Sequence, residues 1–94
     1  MSKGGSSMSE ISVTRKDDEM FEVTVRDATT TTHMVTLTND YYRKLTHGKV
    51  SPEKLIEKSF AFLLERESNT MILRRFDLPV IGDYFPDYEK TITG

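Results

Sequence analysis

The sequence predicts an α+β domain in which a three-stranded antiparallel β-meander packs against one main α-helix and shorter flanking helices. Two observations predict this fold class. Apolar and polar residues alternate with a period of two in three stretches between residues 10 and 38. After them, SPEKLIEKSFAFLLERE has the spacing and the capping residues of an amphipathic helix. We expect residues 10–94 to form a single domain and residues 1–9 to be a flexible lead-in.

Each predicted strand places its apolar side chains on one face, because successive side chains of a strand point to opposite sides. The segment KDDE between the first two strands predicts a tight turn, since aspartate hydrogen-bonds its own backbone in turns. DATTTT (27–32) predicts a longer polar loop before the third strand. The residues that share the faces are Ile11, Val13 and Arg15, then Phe21, Val23 and Val25, then Val35 and Leu37.

The main helix has clear start signals. Ser51 stands at the N-cap, Pro52 at the first helical position, and Glu53 in the first turn, where a negative charge favours the helix dipole. Burying its large side chains stabilises the fold by about 1.5–3 kcal/mol each before the loss of entropy. The stripe that covers the sheet consists of Leu55, Ile56, Ser59, Phe60 and Leu63, and Phe62 and Leu64 widen it.

Shorter helices are expected on both sides of this one. NDYYRKLTHGK (39–49) predicts a helix capped by Thr38 or Asn39 and ended by Gly48. A second helix is expected from Ser68 or Asn69 to Phe76, and a final turn from Asp77 to Pro86. Apolar residues recur at helical spacing through residues 72–85, which predicts that this segment belongs to the core. Only Tyr88 and the residues after it are expected to be free.

Composition excludes several classes of function. The chain has no cysteine, so it has no disulfide, no thiolate metal site and no thiol nucleophile. No apolar run is long enough for a membrane helix, and the N-terminal residues do not resemble a signal peptide. A cytoplasmic protein that does not act at a membrane is the expectation. The net charge of −2 disfavours nucleic acid as a partner, although a local basic patch remains compatible with it.

No motif predicts catalysis, a cofactor or a metal. His33 and His47 have no nucleophile or orienting carboxylate in a recognisable pattern, so we expect neither to be a catalytic base. The acidic residues Asp77, Asp83, Asp87 and Glu89 lack the glycine-punctuated loop that lets carboxylates converge on a cation. The sequence predicts a protein that is not an enzyme and has no cofactor.

The residues that could contact a partner are basic and aromatic. Arg74 and Arg75, with Arg66 upstream, could clamp an anionic group or simply form a solvated face paired with neighbouring acids. On the short helix, one of Tyr41 and Tyr42 should face the core and the other solvent. The primary hypothesis is a non-enzymatic binding or adaptor domain that holds a macromolecular partner, most simply a protein; the oligomeric state is left open. The surface predicted for it consists of Tyr42, Arg43, Arg74, Arg75 and Tyr88.

Two stretches carry a resemblance to known families. SPEKLIEKSFAFLLERE followed by ILRRFDLPVIGDYFPDYE resembles a family of small uncharacterised bacterial proteins, over most of residues 20–89. This resemblance implies a bacterial source and a stand-alone domain, and it implies no activity or ligand.

HMVTLTNDYYRKL followed by the main helix is similar to the ribbon–helix–helix DNA-binding proteins. That resemblance implies a dimer formed through the 33–38 strand, with Met34, Thr36 and Thr38 in the major groove. Those three residues lack the side chains that read bases bidentately. A nucleic-acid-binding transcriptional regulator is therefore the alternative hypothesis.

Overall fold

The computed structural model describes residues 10–93, which form one mixed four-stranded sheet covered on one face by helices. The strands are β1 (Glu10–Arg15), β2 (Met20–Arg26), β3 (Thr30–Thr36) and β4 (Arg75–Asp77), in that order across the sheet. The helices are α1 (Asn39–Thr46), α2 (Pro52–Leu64), α3 (Val80–Tyr84) and α4 (Tyr88–Thr93), with a 3-10 turn at Asn69–Met71. The predicted flexible segment, residues 1–9, lies outside the described residues.

The predicted antiparallel meander is confirmed. Ile11 lies opposite Val25, and Phe21 lies opposite Val35, so the apolar side chains form one buried face. The KDDE turn is stabilised by the Asp17 carboxylate, whose Oδ1 accepts the backbone N–H groups of Glu19 and Met20. The second connection is shorter than predicted. β3 begins at Thr30, because β-branched threonines suit a strand and pair with β2.

A fourth strand stands where the sequence predicts part of a helix. Only Asn69–Met71 is helical, and β4 then runs parallel to β3. Met34 N–H donates to Arg74 O at 2.7 Å, and Leu78 N–H donates to Thr36 O at 2.9 Å. This pairing satisfies the backbone of β3 on its second edge while Phe76 enters the core. The sheet is therefore four-stranded and mixed rather than three-stranded and antiparallel.

The α2 helix covers the sheet as predicted. Ser51 Oγ accepts the Lys54 N–H at 3.0 Å, which completes the expected N-cap. The Phe60 ring lies 5.4 Å from the His33 ring of β3 and 6.0 Å from the Phe76 ring of β4, measured between centroids. The predicted stripe is buried, and Phe62 extends it. The helix thus contacts both the sheet and the segments that follow it.

Of the short helices α1 and α4, the first begins where the sequence predicts, whereas the second was not predicted. α1 begins as predicted, with Thr38 Oγ1 accepting the Tyr41 N–H at 3.2 Å, and it ends at His47 in the left-handed region. The residues after Pro86 were expected to trail away from the core. They form α4 instead, and its first residue, Tyr88, is completely buried.

Candidate functional site

An apolar groove of about 340 Å³ opens between the end of α2, residues 71–73 and α3. Phe76 of β4 forms part of its wall, and Glu67 is its one charged lining residue. The exposed large hydrophobic residues of the described chain all line this groove; they are Met71 (69% exposed), Leu73 (46%) and Tyr84 (66%). Contiguous exposed apolar surface on a small protein commonly marks an interaction site. The apolar groove is therefore the candidate functional site.

One side of the groove is a short segment that we name the lip, residues 69–73. Asn69 anchors its first end through a buried side-chain amide. The Asn69 Nδ2 atom donates to Thr29 O at 2.7 Å and to Thr31 Oγ1 at 3.0 Å. Buried hydrogen bonds of this kind are costly to lose, because the partners would remain without water. The start of the lip is thus fixed to β3 and to the loop before it.

His33 anchors the other end of the lip. Its Nδ1 lies 2.8 Å from Leu73 O, and its Nε2 lies 2.8 Å from Thr31 Oγ1. A carbonyl oxygen only accepts, so Nδ1 carries the hydrogen and Nε2 accepts from the Thr31 hydroxyl. Both nitrogens of this buried imidazole are therefore hydrogen-bonded. This arrangement makes His33 a structural residue that holds the groove in shape.

The electrostatics of His33 agree with this assignment. Burial lowers the pKa of its imidazole below the ordinary histidine value. The hydrogen bond to Leu73 O opposes that shift, while the nearby Arg74 guanidinium adds to it. The other histidine, His47, is exposed and closes α1 with a positive φ of 54°.

The surface predicted from the sequence is divided between two parts of the fold. Arg74 and Arg75 follow the lip directly, and both are exposed. Within residues 10–93, neither guanidinium forms an ion pair, so the expected pairing with neighbouring acids is not seen. Tyr42 and Arg43 lie instead on α1, which packs against α4 and α2. Arg43 is exposed, whereas Tyr42 is half-buried and donates its hydroxyl hydrogen to Val50 O.

Neither tyrosine at the start of α1 is a free aromatic platform. Tyr41 is also half-buried, and its hydroxyl donates to Glu89 Oε2 at 2.7 Å. Burial raises the pKa of Tyr41 well above its ordinary value, and the Glu89 carboxylate raises it further. The expectation that one of the two tyrosines faces solvent is therefore wrong. Both side chains fix α1 to its neighbours.

Tyr88, which the sequence predicts on the partner surface, is buried and does not belong to that surface. The residue is 0% exposed, and its ring packs edge-on against Phe62 at 5.3 Å between centroids. The Ser59 hydroxyl donates to Leu55 O at 2.8 Å, so Tyr88 Oη is the donor in its 2.6 Å bond with Ser59 Oγ. Burial raises the pKa of Tyr88 to about 12. Tyr88 is a core residue because α4 folds back onto α2.

Arg66 pairs with neighbouring acids, which is one of the two roles that the sequence allows for it; the other is an anion clamp. Its guanidinium lies 3.6 Å from the Phe62 ring centroid and donates to Phe62 O at 2.9 Å. It also forms ion pairs with Glu65 at 3.4 Å and Asp87 at 3.8 Å. A cation over an aromatic face is stabilising. Arg66 therefore joins α2 to the segment before α4 and is not available as an anion clamp.

Residues 10–93 contain neither a cluster of metal-ligating side chains nor a helix that could span a membrane. In this part of the chain, no group of three or more histidine, aspartate or glutamate side chains converges as metal ligands do. Two of the acidic residues near the C-terminus have partners within the protein: Asp87 forms an ion pair with Arg66, and Glu89 accepts a hydrogen bond from Tyr41. The helices within these residues are also too short or too polar to cross a bilayer.

The β3 strand does not offer the geometry of a ribbon–helix–helix dimer. In that arrangement the strand pairs with the same strand of a second chain. Here β3 is interior, with β2 on one edge and β4 on the other. Of the proposed reading residues, Thr38 is the N-cap of α1. The strand can therefore form that dimer only if the sheet comes apart.

Several residues of the site were missed or misplaced by sequence reasoning. Leu73 and Tyr84 belong to the apolar spacing of residues 72–85, which correctly indicated contact with the core but not that these two side chains stay exposed. For Asn69 the sequence predicts only a helix start. A polar residue between apolar segments carries no signal of a buried anchor, because its partners are distant in the chain.

Comparison with known proteins gives no match of significance to a family model, a curated protein or a solved structure.

Proposed function

We propose that this protein is a small non-enzymatic binding domain that holds a segment of a protein partner in the apolar groove. One observation carries the proposal: the exposed large hydrophobic residues of the described chain are gathered around a single concave site. A folded domain that gained nothing from exposing Met71, Leu73 and Tyr84 would bury them or replace them with polar residues. A cytoplasmic location accompanies the proposal, since the chain carries no cysteine.

The groove favours an apolar partner segment that also carries a basic residue. Its volume of about 340 Å³ lies at the lower end of the roughly 300–1,000 Å³ typical of binding pockets, so it suits a few side chains. The Glu67 carboxylate lines the groove and has no ion pair within residues 10–93. A lysine or arginine beside the apolar anchors would complement it.

The five residues predicted from the sequence contribute unequally to this proposal. Arg74 adjoins Leu73 and can contact a partner that extends beyond the lip, whereas Arg75 lies one residue further on, on the face of β4 opposite to Phe76. Tyr42 and Arg43 belong to a separate surface on α1, and we do not assign them to the groove. Tyr88 supports the fold from within.

The proposal is tested by site-specific photo-crosslinking in lysate of the native host. A photoreactive phenylalanine analogue is placed at Tyr84 on the groove and, as a matched control, at Thr14 on the exposed side of β1. We expect one protein adduct from position 84 that survives nuclease treatment and is absent from position 14. Adding Leu73→Asp or Glu67→Lys should reduce that adduct.

Two results would contradict the proposal. Equal adducts from both positions would indicate non-specific contact, and adducts that vanish with nuclease would favour the nucleic-acid alternative. Circular dichroism of every variant tests whether the fold is retained, which is expected because Leu73, Tyr84 and Thr14 are exposed and Glu67 is only half-buried.

A further inference from the structure

The outer edge of β4 carries backbone groups that no other strand of the described sheet contacts. β4 is the last strand of the sheet, and β3 is its neighbour. Arg74 O and Leu78 N–H both bond to β3. The backbone groups of successive strand residues point to opposite edges, so those of Arg75 and Asp77 point away from β3. Free edges of this kind are templates for pairing with another strand.

The edge carries two residues of opposite charge at symmetric positions about its central residue. Arg75 and Asp77 flank Phe76 at equal distance along the strand. If two copies pair antiparallel with a two-fold axis at Phe76, Arg75 of each copy lies opposite Asp77 of the other. In an antiparallel ladder, opposed residues whose backbone groups face each other exchange both hydrogen bonds. One register thus satisfies the backbone of Arg75 and Asp77 in both copies.

The same register is favourable for the side chains. Arg75 and Asp77 are two positions apart, so they project on the same face of the sheet, opposite to the buried Phe76. Both are exposed, and neither has an ion-pair partner within residues 10–93. Opposite charges that face each other across strands are stabilising, whereas like charges are destabilising. A single charge type at this edge would repel a second copy; this pair attracts it.

We propose that the free edge of β4 is a homodimer interface, in which two copies pair antiparallel about Phe76 to form one sheet that runs through both. The occupant is a second copy because the charge pattern is self-complementary in the register that the backbone requires. Phe76 also lines the apolar groove, so the dimer brings the two grooves to either side of the two-fold axis. The proposal does not depend on what the groove binds.

The interface is small, so the dimer should be weak and dependent on concentration. Sedimentation velocity or small-angle scattering from micromolar to millimolar protein should show the mass rising towards twice that of the monomer. Arg75→Asp gives two acidic positions at the edge, and Asp77→Arg gives two basic ones. Each single variant should self-associate at least about tenfold more weakly than the unmodified chain, because like charges then face each other.

Charge reversal provides the decisive control. An equimolar mixture of the two single variants should form a heterodimer, detected by native mass spectrometry with one variant isotopically labelled, because acidic and basic edges again face each other. The double variant Arg75→Asp/Asp77→Arg should recover self-association. The proposal is overturned if the unmodified chain stays monomeric at millimolar concentration. It is equally overturned if both single variants dimerise normally, or if two folded single variants fail to associate on mixing.

Discussion

Replacing Tyr88 by alanine should destabilise the protein more than the same replacement of the exposed groove residues Met71, Leu73 or Tyr84. The side chain is 0% exposed and packs against Phe62 between α2 and α4. Truncating a buried aromatic residue to alanine costs about 3–5 kcal/mol. A domain of 94 residues has a free energy of unfolding of roughly 5–14 kcal/mol, at about 0.05–0.15 kcal/mol per residue. The variant should therefore lose at least about a fifth of its stability, and it should fail to fold if the domain is at the lower end of this range.

The substitution Tyr88→Phe removes the hydroxyl but keeps the ring, so it measures the contribution of the hydroxyl to stability alone. The Ser59 hydroxyl donates its single hydrogen to Leu55 O, so the Tyr88 hydroxyl is the donor in the bond between Tyr88 and Ser59. The phenylalanine variant therefore loses this one hydrogen bond to Ser59 Oγ. A buried hydrogen bond of this kind contributes about 0.5–1.5 kcal/mol. In a domain of this size, about 1 kcal/mol lowers the melting temperature by roughly 4–8 °C. The expected order of stability is unmodified protein, then Tyr88→Phe, then Tyr88→Ala.

Urea and thermal unfolding followed by circular dichroism measure this order, with Tyr84→Ala as the matched control. Tyr84 is 66% exposed, so its truncation should change the free energy of unfolding by less than about 0.5 kcal/mol. The reasoning is refuted if Tyr88→Ala and Tyr84→Ala are equally stable. Such a result would mean that α4 does not hold its position on α2 in solution.

Two further predictions concern the anchors of the lip. Because burial lowers the pKa of His33, the unfolded chain binds the proton of this imidazole more tightly than the folded chain does. The free energy of unfolding should therefore fall as the pH drops below about 6.5, and urea titrations should show a flatter pH dependence for His33→Gln than for the unmodified protein. Equal pH profiles for His33→Gln and the unmodified protein would contradict the buried neutral imidazole. Asn69→Ala removes the donor to Thr29 O and Thr31 Oγ1 and should cost about 1–3 kcal/mol in the same assay, while Thr70→Ala, at an exposed neighbour, should cost little. An Asn69→Ala variant as stable as Thr70→Ala would show that the lip is not held by this amide.

The parts of the fold that were predicted correctly are those whose evidence is local. The alternation in β2 and the cap and stripe of α2 each report which side of one element is buried. β4 could not be found in this way, because three residues show no periodicity and the apolar spacing of Ile72, Leu73 and Phe76 suits a helix equally well. Its conformation is decided by pairing with β3, which lies far away in the sequence.

The candidate site was predicted less well for a related reason. Apolar residues at helical spacing indicate that one face of a segment is hydrophobic. The spacing does not indicate whether another helix or strand covers that face. Leu73 and Tyr84 fit the core pattern and yet remain exposed, because the described residues place nothing over them. Tyr88 shows the reverse, since its position near the C-terminus suggested freedom and α4 buries it.

The parallel pairing of β4 also bears on the order in which this protein assembles. Within the meander, Glu22 pairs with Met34 across a short loop, whereas Met34 pairs with Arg75 only after α1 and α2 have been placed between them. Contacts between distant parts of a chain form at a greater entropic cost and generally later than local ones. The groove, which needs β4 and α3, is thus expected to be the last region to fold and the first to open. Transient opening there could empty or admit an occupant while the meander and the first turns of α2 stay folded.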